Sequence, residues 1–422
     1  MYRSITLPNK LRVITHDIKE REGVALGIWI DVGGRYESAS NKGAAHFLEH
    51  ILFKGSQKYS CSQIKESIEG VGGTLNAFTS EEQTCYYAKV PTKHFAMTFD
   101  ILADMVLYPL ITGKDVQKEK GVILEEIKMY NDLPQYLVSE LLDELMWPDH
   151  PLGQKLAGTL KSVAGLTPKD VTAFHHQYYS PANVVVAACG NFRPETMTDL
   201  IERKWKEGFF IAKEIPLAAV NRQDASKVKF LRKDTEQMHL ALGMFGCDHH
   251  HPDRFVLYLL NIILGGNMSS RLFNELREKR SLSYSIGSGI KLLRDTGVLT
   301  IRAGIDNTKI VKAATLILRE LHKIKQKEVT KDELMRAKDY YLGQVLLGLE
   351  DTLDHMLWIG ESTICRNKIM TLDTLVKEVK KVTLEDIKRV ARDIFKERHF
   401  NLSIVGPLKD PQERELSRLL AV

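Results

Sequence analysis

LTPKDVTAFHHQYYSPANVVVAACG, residues 166–190, and VTLEDIKRVARDIFKERHFNLSIVG, residues 382–406, align without a gap. Thr167 and Thr383 stand where a helix needs a capping hydroxyl, and Asp170 and Asp386 follow in the first turn, where a negative charge meets the positive helix end. Phe174 and Val390 take the same place on the apolar side, and each helix gives way to an apolar strand closed by Gly190 or Gly406. Further out the match continues. VALGIWIDVG (24–33) precedes a helix around His46, and HLALGMFG (239–246) precedes one around Leu259. One structural unit is used twice, which predicts domains at 1–209 and 226–422. Residues 210–225, mixed and poorly periodic, read as a linker.

Within the first copy, strands are expected over 3–16 and 24–33 and a helix over 43–54, stopped by Gly55. Ser60 and Gln63 form an S-x-x-Q capping box for a short helix ending at Gly70. A hairpin follows, TLNAFT (74–79) and TCYYAKV (84–90), turning at Ser80-Glu81-Glu82. Helices are expected over 92–107, 114–130 and 134–147. The predicted class is α+β: two homologous α/β-sandwich-like repeats, each a sheet with helices on one face.

Composition narrows the function. A net charge of +5 over 422 residues, with both signs interleaved, describes a solvated surface and not a nucleic-acid patch. No apolar run approaches the length of a membrane span. MYRSITLPNKLRVITH (1–16) reads as strand and carries neither an export signal nor a transit sequence, which predicts a cytoplasmic or already matured chain. Cys61, Cys85, Cys189, Cys247 and Cys365 are an odd, widely spaced set, expected to be packing residues in a reducing compartment.

The strongest chemical signal is His46-Phe47-Leu48-Glu49-His50. Phe47, Leu48, Ile51 and Leu52 supply an apolar stripe, so the stretch is helical and partly buried. His46 and His50 then lie one turn apart on one face and can reach a single ion, with Glu49 beside them to take a proton from water. This is the inverted zincin pattern, H-x-x-E-H. A third ligand is available in KEKGVILEEIKMY (118–130), where Glu119 and Glu126 are seven apart on one face and Glu125 points away. One of the two can bind the metal while the other supports a ligand. His249-His250-His251 reads as an exposed capping region, and Gly287-Ser288-Gly289 lacks the helix that a dinucleotide motif needs.

These stretches resemble the pitrilysin family of zinc peptidases, which includes insulin-degrading enzyme and mitochondrial processing peptidase. HFLEHILFKG matches the family's inverted motif, GGTLNAFTSEEQTCYY the strand pair beside its active site, and GGNMSSRLFNELREKRSLSYSIG its substrate clamp. The resemblance implies one zinc per chain on His46, His50 and Glu126, with Glu49 as general base and Glu119 as supporting glutamate. It also implies Arg277 and Tyr284 at the scissile region, and a substrate strand along Asn76, Ala77 and Phe78. Aligning Gly55 with Gly265 puts Val256, Leu259 and Leu260 where His46, Glu49 and His50 stand, so the second repeat has no metal site. The expected activity is endopeptidase cleavage of extended peptides. The alternative is a non-catalytic partner subunit of the same fold. A homodimer is expected, or a heterodimer with a related chain, without nucleic acid or membrane.

Overall fold

A computed structural model describes residues 2–205, 214–327 and 329–420. The expected domain boundary at 209/210 lies outside them. In the first half the strands are β1 (Tyr2–Thr6), β2 (Arg12–Asp17), β3 (Gly23–Ile30), β4 (Thr74–Thr79), β5 (Thr84–Pro91) and β6 (Val184–Gly190). Its helices are α1 (Ala44–Leu52), α2 (Cys61–Glu69), α3 (Phe95–Leu107), α4 (Gly113–Asp132), α5 (Pro134–Met146), α6 (Leu160–Gly165), α7 (Pro168–Tyr178) and α8 (Pro194–Lys204). The second half has β7 (Lys227–Arg232), β8 (Gln237–Phe245), β9 (Ser283–Leu292), β10 (Gly297–Asp306) and β11 (Asn401–Gly406). With them come α9 (Arg254–Leu264), α10 (Ile310–Gln326), α11 (Lys331–Gly348), α12 (Thr352–Arg366), α13 (Leu372–Lys381), α14 (Leu384–Ile394) and α15 (Asp410–Leu420). The strand expected over 3–16 is a hairpin, β1 and β2, because Asn9 and the left-handed Lys10 turn the chain.

The repeat is visible in the sheets. The first runs β1-β2-β6-β3-β5-β4 and the second β7-β11-β8-β10-β9. Without β1 the two orders superimpose strand for strand, each with one parallel pair, β2 with β6 and β7 with β11. Both predicted threonine caps form capping boxes, Thr167 with Asp170 and Thr383 with Asp386. The Ser60–Gln63 box forms as well.

The chain does not divide at the linker. One compact unit comprises the described residues of 1–127, 155–217 and 346–370, and the other those of 128–154, 218–345 and 371–422. The reason is packing. On β3, Val24, Leu26, Ile28 and Ile30 join a core with Phe47, Leu48 and Phe99 from α1 and α3. The alternate residues Ala25 and Trp29 face the other way and meet Met356, Ile359 and Ile364 of α12. A helix from the far end of the chain thus covers the second face of the first sheet. The α5 helix does the same for the second sheet, where Leu137, Val138, Leu142 and Met146 pack with Ala241, Phe245, Val298 and Val405. Helices in equivalent positions of the two repeats are therefore exchanged between the units. That revises the expectation of contiguous domains and of α5 as part of the first copy. Each buried apolar side chain of this kind contributes about 1.5–3 kcal/mol.

Candidate metal centre

The α1 helix begins at Gly43, whose φ of +94° puts it in the left-handed region. A Cβ there would lie 2.9 Å from the Ala157 carbonyl oxygen. No Ser or Thr caps the helix. The buried Glu37 carboxylate accepts from the N–H groups of Gly43 (3.0 Å) and Ala45 (2.7 Å) and pairs with Lys42 Nζ at 3.0 Å. Burial raises the Glu37 pKa, against the pull of Lys42 and the two N–H groups. Sequence reasoning missed this cap because the side chain reaches over six residues, beyond the ordinary capping spacing.

Ala44, Ala45, Phe47, Leu48, Ile51 and Leu52 are buried, leaving His46, Glu49 and His50 on the opposite stripe. The imidazoles lie 4.7 Å apart between ring centres. Glu126 on α4 completes the set, with Oε1 3.8 Å from His46 Nε2 and Oε2 3.5 Å from His50 Nε2. One ligand atom from each residue falls within 4.8 Å of the others. Glu125 is exposed, as its place on the helix predicts.

Glu119 lies behind His50. Its Oε1 lies 3.0 Å from His50 Nδ1 and its Oε2 2.6 Å from Lys54 Nζ. With Nδ1 donating to Glu119, the lone pair of Nε2 points towards Glu126, which is the tautomer a metal ligand requires. Burial would depress His50, but the Glu119 hydrogen bond and the surrounding carboxylates outweigh it and raise its pKa. Burial likewise works against ionisation of Glu119, and the His50 and Lys54 contacts overcome it, so its pKa is lowered. His46 goes the other way. Burial and the neighbouring His50 hold it below the ordinary histidine value, so the ring is neutral near pH 7. Its Nδ1 is buried without a hydrogen-bond partner among the described residues, leaving Nε2 as the atom that converges on Glu126.

Glu49 stands beside this set without joining it. Thr79 Oγ1, at the end of β4, donates to its Oε2 at 2.5 Å. Burial raises its pKa, only partly offset by that hydrogen bond. A carboxylate so placed has a basicity shifted towards neutral pH, as a general base needs. Thr79 and Lys54 are contributors that spacing alone did not reveal, although both lie in the stretches the sequence singled out.

The hairpin carrying Thr79 is tied down at its tip. Arg35, with a fully buried side chain, pairs with Glu82 Oε1 at 2.5 Å and donates to the Leu217 carbonyl from Nη2 at 2.7 Å. The backbone N–H groups of Gly34 and Arg35 donate to Ser80 and Glu81. Among the described residues, β4 is the edge of its sheet and pairs only with β5. Ala77 and Leu75 share the face of Thr79 and pack on the first core. Asn76 is exposed, its Oδ1 taken by the Ala77 N–H, and Phe78 packs edge-on against Trp29 with ring centres 5.5 Å apart. Side chains of Asn76 and Phe78 therefore point to the face of the strand opposite Thr79.

In the second unit, Val256, Leu259 and Leu260 are buried in α9, which carries no ligand where His46, Glu49 and His50 stand in the first. Arg277 and Tyr284 lie together, the guanidinium 5.1 Å from the Tyr284 ring centre and 4.8 Å from that of Phe273. Tyr284 is 77% exposed. Both line a cleft of about 660 Å³ with Ser139, Asp143 and Arg302.

Two imidazole nitrogens and a carboxylate oxygen, with the other nitrogen of His50 held by Glu119, suit zinc with a fourth position left open. Comparison with known proteins agrees. Residues 12–160 match the family described as insulinase (peptidase family M16), and residues 165–341 match the peptidase M16 inactive domain. The chain is 37% identical over 425 residues to an uncharacterized zinc protease of Streptomyces coelicolor, covering 99% of this chain and 92% of that one. It is 35% identical to one of Bacillus subtilis over 96% of this chain and 98% of that protein. The fold is that of a protease from Helicobacter pylori, with a TM-score of 0.91 at 23% identity over 96% of this chain and 99% of that chain. An M16-like peptidase from Alicyclobacillus acidocaldarius gives 0.83 at 19% identity, over 96% and 98%. With its H-x-x-E-H helix in one unit and an aliphatic counterpart in the other, the chain belongs to the M16, or insulinase, family of peptidases.

Proposed function

We propose that the chain is a zinc-dependent endopeptidase acting on extended peptides or unfolded segments. The observation that carries this reading is the pairing of a three-ligand set with an adjacent, non-ligating carboxylate whose pKa is raised. When bound, zinc supplies a Lewis acid that lowers the pKa of water and polarises a carbonyl. Glu49, oriented by Thr79, takes the proton of the attacking water and passes it to the leaving amine. Glu119 keeps His50 in the tautomer that presents Nε2.

The open edge of β4 accepts substrate as an added strand through its backbone, which favours extended chains over folded ones. Arg277 and Tyr284, a guanidinium and a phenol stacked on one another, are the donors proposed to hold the peptide carbonyl as negative charge develops.

The decisive experiment is Glu49→Gln. Zinc content should stay at one per chain while cleavage of a quenched extended peptide falls at least about 100-fold. Normal turnover would remove Glu49 from this role. Arg277→Ala should lower kcat/KM with zinc content unaltered, and an unaffected kcat/KM would end the clamp assignment.

A further inference from the structure

A second group of metal-ligating side chains lies in the first unit, built from residues that the H-x-x-E-H chemistry does not use. His16 on β2 and Cys189 on β6 are opposite one another in the parallel ladder, and His355 reaches them from α12. One ligand atom of each falls within 4.8 Å of the others. His16 Nδ1 is 3.2 Å from His355 Nε2, and the Tyr2 hydroxyl is 2.9 Å from that same nitrogen. Cys189 and His355 are buried, and His16 is partly so.

We propose that His16, Cys189 and His355 form a site for a thiophilic transition-metal ion such as Zn2+, separate from the catalytic centre. Three features point there. Two ring nitrogens facing each other at 3.2 Å can share only one proton between them, and the Tyr2 hydroxyl crowds onto the same acceptor. In a tetrahedral zinc site with bonds of about 2.0–2.3 Å, ligand atoms lie roughly 3.3–3.8 Å apart; the two ring nitrogens are 3.2 Å apart and all three ligand atoms fall within 4.8 Å of one another. Burial, with the neighbouring His16 charge, holds His355 down to about 4, and burial lowers His16 too, so both rings offer lone pairs at neutral pH.

The binding step is a simple exchange. The Cys189 S–H bond breaks and its proton leaves to solvent, the proton between the two rings moves to the outer nitrogen of the ring that carries it, and Sγ bonds the ion while His16 Nδ1 and His355 Nε2 each donate a lone pair. No electron transfer is involved. The Tyr2 hydroxyl lies 2.9 Å from His355 Nε2, beside the three ligands. Burial pushes the Cys189 thiol up to about 12, so an empty site holds a neutral thiol and the ion must displace the proton. Cys189 is not in a disulfide. Occupancy would staple α12, supplied from late in the chain, to β2 and β6 of the first sheet.

The test uses Co2+ on the full chain carrying His46→Ala and His50→Ala, which removes the catalytic ligands. One Co2+ should bind per chain with a thiolate-to-cobalt charge-transfer band in the near ultraviolet, and adding Cys189→Ser should abolish both. Absence of stoichiometric binding, binding without the band, or a band that survives Cys189→Ser would each overturn the proposal. The band is equally diagnostic in the unaltered chain, because His46, His50 and Glu126 offer no sulfur. If the cysteine variant does not fold, X-ray absorption on the zinc-loaded His46→Ala/His50→Ala chain decides. A shell with one sulfur and two imidazoles supports the site, and a shell of nitrogen and oxygen alone excludes it. Loss of peptidase activity in Glu49→Gln has no bearing on these outcomes.

Discussion

At the scale of single residues, His50 shows how much of a ligand's quality is set by its other nitrogen. Glu119 holds Nδ1 at 3.0 Å and is itself held by Lys54. Glu119→Gln should leave the fold intact and weaken zinc binding about 10–100-fold, read by chelator competition. Unchanged affinity would make Glu119 a structural carboxylate only. A second residue-scale effect concerns His175, buried with Nε2 2.7 Å from the Val106 carbonyl. Burial depresses it to about 4. The unfolded chain binds this proton first as pH falls, so stability is full above about 6.5 and is lost towards 4, by roughly 2 kcal/mol at pH 5. Denaturation midpoints of His175→Gln should therefore fall less steeply with pH over that window than those of the parent. The juxtaposition of His46, His50, Glu119 and Glu126 was legible in the sequence because a helix turns H-x-x-E-H and Glu119/Glu126 into geometry by itself. Glu37, Arg35 and Thr79 were not, since their partners are chosen by tertiary folding and no fixed spacing encodes them.

At the scale of elements, the sequence located helices and the β4–β5 hairpin well, because caps and periodicity are local properties. What a helix packs against is not local. The α12 helix lies on β3 at glycine-sized clearance: a Cβ on Gly360 would stand 2.1 Å from Trp29 Nε1, and one on Gly27 2.5 Å from Met356 Sδ. Gly360→Ala should therefore destabilise by about 1–3 kcal/mol despite its better helix propensity. In α11, nothing among the described residues outside the helix's own backbone lies within 4 Å of a Cβ on Gly343, and Gly343→Ala should stabilise by about 0.5–1 kcal/mol. Urea unfolding of the pair checks both signs, and equal effects would show that Trp29 yields without cost.

At the scale of the whole molecule, the two-copy pattern anticipated that one unit is built twice, yet it gave neither the strand order of the sheets nor their covering helices. Repeat detection compares like with like and cannot reveal that α5 and α12 have changed places. A fragment ending at residue 209 lacks α12 and leaves Trp29, Val185 and Ala187 without Met356, Ile359 and Ile364. The loss, on the order of 5 kcal/mol or more, rivals the whole stability of a typical domain. The fragment should fail to give a cooperative unfolding transition alone and regain one when residues 346–370 are supplied as a peptide. A cooperative transition without the peptide would mean that α12 is dispensable to the first sheet.

The exchange also sets a timetable. The last strand of the first sheet, β6, ends at Gly190, but α12 is finished only at Arg366. At about 5–20 residues per second, a ribosome takes roughly 10–35 s to cover that interval. For all that time the nascent sheet has one bare greasy side, which makes it a client for whatever guards emerging chains.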